Sequence, residues 1–143
     1  MLTKLEGDGE RDKEIIKRLP TKIKKYFREL PLNESQKLER ENNIKERKEH
    51  YLKKGYREDE IEVTDICVLS FDENRCKIVK VVEIANQHTE YREEIGWSSF
   101  YYLDSDNTKK ENELGEELKQ IVEEVFEEEQ ENKEKYSEED EED

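Results

Sequence analysis

The apolar positions of the first half of the chain fall at helical spacing. Ile15, Ile16 and Leu19 recur until Pro20, and Ile23, Phe27 and Leu30 repeat at i, i+4, i+7 until Pro31, so two short helices are predicted. Asn33-x-x-Gln36 has the form of a capping box and Gly55 that of a helix stop, which frames a third helix from about Glu34 to Lys54. Its apolar stripe, Leu38, Ile44, Tyr51 and Leu52, is thin, whereas Glu41→Lys45 and Glu49→Lys53 are favourable i, i+4 pairs. That combination predicts an exposed arm or one side of a homodimer contact.

From Ile61 the period changes to two. Ile61, Val63, Cys67, Leu69 and Phe71 share one parity, Asp72-Glu73-Asn74-Arg75 breaks the run, and Cys76, Ile78, Val82 and Ile84 resume it, which predicts a β-hairpin. A two-residue loop at Glu73-Asn74 pairs Phe71 with Cys76 and Cys67 with Lys80, leaving the two sulfurs too far apart for a disulfide. A third strand is expected over Gly96–Leu103, dense in aromatics, while Asn86 to Ile95 fits no single period. Asp104 to Asn107 marks a turn, and Thr108-x-x-Glu111 offers a second capping box. Leu114, Leu118, Ile121, Val122, Val125 and Phe126 then form the widest amphipathic stripe in the chain. After Phe126 only Tyr136 is apolar. The expected fold is α+β, with N-terminal helices, a small antiparallel sheet of about three strands covered by a C-terminal amphipathic helix, and a disordered acidic tail. The segments are a basic helical part (1–57), an α+β core (58–126) and an acidic low-complexity tail (127–143).

Charge sharpens this division. The 143 residues carry 26 basic and 41 acidic groups, a net −15, with 47% charged and 31% hydrophobic residues. Such a chain can build one modest core and not a large enzyme core. Residues 1–57 hold 17 basic and 11 acidic groups, residues 58–108 hold 4 and 13, and residues 109–143 hold 5 and 17. Ala85 is the only alanine, and Glu and Lys abound beside two cysteines and one methionine, a composition that suits an AT-rich genome or a thermophile. No apolar run reaches the ~20 residues of a membrane span, and Met1 to Leu5 leads into Glu6 and Asp8, so a cytoplasmic protein without membrane contact is expected.

Candidate chemistry is sparse. Cys67 and Cys76 lie nine positions apart, outside the usual zinc spacings, and read as core thiols. Asp65, Asp72, Glu83, Glu90, Glu93 and Glu94 could surround a nuclease cation, but Ile84-Ala85 follows Glu83 where a nearby lysine is wanted. His50 and His88 belong to no recognisable triad, and the five glycines are too scattered for a phosphate loop. A non-enzymatic protein with no cofactor and no metal is therefore expected.

Two features point toward partners. Lys13 to Arg28 carries seven cations against Glu14, and Tyr91, Trp97, Phe100, Tyr101 and Tyr102 could stack unpaired bases. The leading expectation is a small accessory protein that binds single-stranded nucleic acid, single-stranded DNA included, through Lys17, Arg18, Lys22, Lys24, Lys25 and Arg28 for charge and Trp97 and Tyr101 for stacking. Its acidic tail would recruit a protein partner or fold over the cations. In its order of body then acidic tail the chain is similar to bacterial single-stranded-DNA-binding proteins. It departs from them in having about three strands instead of a five-stranded barrel and in lacking an apolar tail tip. The alternative is an acidic protein-interaction module, for example an inhibitor that occupies a basic groove on a host enzyme by imitating the charge of DNA.

Overall fold

The computed structural model describes residues 3–72, 75–100 and 109–141. In chain order, β1 (Lys4–Gly7) precedes three helices, α1 (Glu10–Arg18), α2 (Thr21–Arg28) and α3 (Glu34–Lys53). A 3-10 turn (Glu58–Glu60) leads to β2 (Glu62–Phe71), β3 (Arg75–Ala85), β4 (Glu90–Glu94) and β5 (Ser99–Phe100), and α4 (Lys109–Glu141) follows. The sheet runs β1-β2-β3-β4, with the two-residue β5 also on β3.

The fold is α+β, and the sheet is mixed: β1 lies parallel to β2, and the other pairings are antiparallel. The expected hairpin is present in the expected register, Phe71 opposite Cys76 and Cys67 opposite Lys80, with Glu73 and Asn74 outside the described residues. Two strands differ from the sequence reading. β1 carries one large apolar residue, Leu5, too few to show a period. The other is β4, in the segment without a clear period, because Tyr91 is its only large apolar side chain. Asn86 turns the chain into it, its side-chain oxygen accepting from His88 N and Thr89 N at 2.8 Å each. Gly96, at φ +82, separates β4 from β5, so the third antiparallel strand on β3 is interrupted. Its expected end, Tyr101 to Leu103, lies outside the described residues, as do Asp104 to Thr108.

One sheet face carries Cys67, Leu69, Phe71, Cys76, Ile78, Lys80, Val82 and Ile84, as the register and the two-residue period require. Ile15 of α1, Leu19 just past its end, Ile23 and Phe27 of α2, and Leu114, Leu118, Val122 and Val125 of α4 join Cys67 to Ile78 in the larger cluster. The N-terminal helices therefore share a core with the sheet. A second cluster joins Tyr51, Ile61, Val82, Ile84 and Ile95. Both cysteines are free and buried, and burial pushes the Cys67 thiol up to about 11 and raises that of Cys76 further.

α3 starts at the predicted capping box, Gln36 N donating to Asn33 Oδ1 at 2.8 Å and Asn33 N to Gln36 Oε1 at 2.9 Å, and Gly55 follows it at φ +100. It is no projecting arm. Tyr51 is buried and donates its hydroxyl to the Ile84 carbonyl at 3.3 Å, while Arg40 donates two hydrogen bonds to Asp65 at 2.7 and 2.8 Å. The stripe looked thin because an arginine holds an inward position; Leu38 and Leu52 are exposed.

The α1–β1 junction is tight. A Cβ on Gly7 would sit 2.5 Å from Lys13 N, so only glycine lets the helix approach the strand this closely. Asp12 ties the junction to the sheet: its carboxylate accepts from Gly9 N at 3.0 Å and from Phe71 N, at the end of β2, at 2.9 Å.

Candidate interaction surface

A row of opposite charges lines the seam between α4 and the two basic helices. The apolar stripe of α4 sets its placement, and its flanking glutamates then meet cations in reverse chain order. Lys22 Nζ donates to Glu117 at 2.6 Å, Arg18 donates to both oxygens of Glu128 at 3.1 and 2.6 Å, and Arg11 Nε donates to Glu129. α4 thus runs antiparallel to the α1–α2 segment. Arg11 also stacks over the Phe126 ring, 4.2 Å from its centroid. The guanidiniums hold the Glu128 and Glu129 carboxyls below the usual range, and the glutamates raise Arg18 and Arg11 in return.

The helix does not end with its apolar stripe. It runs on to Glu141, because Glu, Gln and Lys are strong helix formers whether or not they are buried. Residues 127–141 hold nine acidic and two basic groups, and at 1.5 Å per residue they add ~22 Å of helix. Glu127, Glu128, Glu131 and Lys133 are exposed.

The expected nucleic-acid residues diverge. Arg18 and Lys22 face α4 as described. Lys17 is exposed, Lys24 is half-buried, and exposed Lys25 sits 4.0 Å from Glu29. Arg28 turns toward β1, its Nε donating to the Thr3 carbonyl at 3.1 Å. Trp97 is half-buried and packs against the larger core cluster, and Tyr101 lies outside the described residues. Of the other aromatics, Tyr91 stacks under Arg47, whose guanidinium carbon is 3.7 Å from the ring centroid. The sequence reading overlooked Arg11 as a member of the charged seam; its i, i+7 spacing to Arg18 was the available signal.

Among the described residues no helix is long and apolar enough to cross a membrane, and no group of three His, Cys, Asp or Glu side chains is placed to hold a metal ion. Comparison with protein-family models, with curated proteins and with solved structures finds no match.

Proposed function

We propose that the protein is a non-enzymatic acidic interaction module, binding a strongly basic protein surface through the carboxylate-rich length of α4 beyond Phe126. The observation that carries this reading is the α4 seam: three of the chain's own cations, Arg11, Arg18 and Lys22, already take carboxylates of α4 as partners. The same helix then continues with nine acidic groups over its last fifteen residues. A row of helical carboxylates presents anions to Lys- and Arg-rich grooves much as a phosphate backbone does.

A second reading, single-stranded nucleic-acid binding by α1 and α2, is favoured by one detail. Glu128 and Glu129 lie past the apolar stripe, so phosphates could displace them from Arg18 and Arg11 without unpacking the core. One experiment separates the two. An arginine-rich peptide and oligo-dT are each titrated against the full chain and against a chain ending at Phe126, at two salt concentrations. The acidic-module reading expects the peptide to bind the full chain and to bind the shortened chain at least roughly tenfold more weakly, with both affinities falling as salt rises. Retardation of oligo-dT, strengthened by the truncation, together with equal peptide binding to both chains, sinks it and supports the second reading.

A further inference from the structure

The two core clusters do not merge. Between them, where the end of α2 and the first half of α3 cross the sheet, lies a cavity of about 370 Å³, within the ~300–1,000 Å³ usual for small-molecule sites. Its charged lining is Arg28, Lys37, Arg40 and Lys80 against Glu41 and Asp65, an excess of two positive charges in a chain of net −15.

Lys80 is the unusual member. It is only 7% exposed, and its ammonium donates to the Phe27 carbonyl, in the last turn of α2, at 3.2 Å. An ammonium has three donors, and among the described residues no carboxylate pairs with it. A buried cation with one neutral acceptor is costly, and a methionine would bridge the two clusters without that cost. Arg40 and Asp65 neutralise each other through their bidentate pair. Among the described residues Arg28 spends only Nε, on Thr3, which leaves its terminal nitrogens for a ligand, and Lys37 has a single long contact, 3.7 Å to exposed Glu34. Leu30, Leu32 and Ile95 supply an apolar wall beside these cations.

We propose that this cavity binds a small phosphomonoester, with Lys80, Arg28 and Lys37 holding the phosphate and the leucine wall receiving the organic body. A phosphomonoester carries about −1.5 to −2 charges near neutral pH, which matches the excess of two cations, and its oxygens accept from several directions at once. A carboxylate would leave one of the cations uncompensated. The proposal stands apart from the α4 reading, since neither α4 nor its cation partners line the cavity.

The test is a calorimetric and thermal-shift titration of the full chain with adenosine 5′-monophosphate, inorganic phosphate and adenosine in low-salt buffer. The nucleotide and phosphate are expected to bind and to raise the Tm, the nucleotide more strongly, while adenosine alone does neither. Arg28→Gln and Lys37→Gln should each weaken nucleotide binding roughly tenfold or more. Lys80→Met should abolish it while leaving the ligand-free Tm unchanged or higher. Lys53→Gln, exposed at the end of α3 and outside the cavity, should bind as the unaltered chain does. The proposal is overturned if neither anion raises the Tm at about 10 mM, or if Arg28→Gln and Lys37→Gln bind the nucleotide undiminished.

Discussion

Asp12→Ala is the sharpest probe of how the first helix is joined to the sheet. The substitution removes two acceptors at once: the partner of Gly9 N at the start of α1 and the partner of Phe71 N at the end of β2. Loss of a capping side chain costs about 0.5–2 kcal/mol, and a partly buried amide left without an acceptor about 1–3 kcal/mol. Together they give about 2–4 kcal/mol. For a chain of this size that is a fall in Tm of about 10 °C. Asp12→Asn keeps one oxygen acceptor, so its loss should be smaller, and Glu10→Ala, an exposed neighbour in the same turn, should stay within ~0.5 kcal/mol. Thermal melts of the three variants measure the sizes, and native-state hydrogen exchange at the Phe71 amide reports the sheet half of the contact. A fall of less than ~3 °C for Asp12→Ala with Phe71 protection unchanged would show that this carboxylate is not the tie between helix and sheet.

Further outcomes follow from the same geometry. Gly7→Ala should destabilise by about 1–3 kcal/mol, since both the strand and the helix backbone it meets are pinned; a neutral result in a urea melt would mean that α1 can slide. With its thiol at about 11, Cys67 should resist a thiol reagent at pH 8 until the chain unfolds, and so should Cys76; labelling of either at a rate independent of stability contradicts their burial. Raised thiols bind protons in the fold after the unfolded chain has released them, so stability should decline as pH rises from about 8.5 toward 11. Glu128 and Glu129 are lowered by their arginines, so their contribution is present above the unfolded value of about 4.3 and is lost as pH falls through the folded values. The Glu128→Gln/Glu129→Gln double variant should lose less stability than the unaltered chain between pH 5 and pH 3 (approximate bounds set by that carboxylate range), and an identical acid limb would argue against these pairs.

What the sequence disclosed follows from how local each signal is. The α3 capping box needs two residues three positions apart, and the β2–β3 register needs one tight turn and a two-residue period, so both could be read and both are present. The stripe of α4 was legible for the same reason. β1 was not, because a four-residue strand with one large apolar side chain is specified by its partner β2 and not by its own pattern. The inward role of α3 was hidden because Arg40 and Arg47 dock through Asp65 and the Tyr91 ring, contacts that a hydrophobic count scores as solvent-facing. Among the cations, the sequence picked out Arg18, Lys22 and Arg28 as charged and could not say what each meets. Lys80 could be placed opposite Cys67 but not recognised as a buried cation, because only the crossing of α2 and α3 over it makes a cavity.

The parallel pairing of β1 bears on when this chain becomes a folded object. Lys4 lies opposite Ile66, and Arg11 meets Glu129 across 118 positions, so neither contact can form until long stretches of chain have been made. Closing such loops is entropically expensive and slows the search for the native arrangement. During synthesis Ile15, Leu19, Ile23 and Phe27 therefore leave the ribosome before the strands and the α4 residues that cover them exist. The basic, amphipathic N-terminal segment spends that interval with its apolar stripe uncovered, and α4, translated more than eighty residues after α2, supplies both the missing hydrophobic cover and the opposite charge.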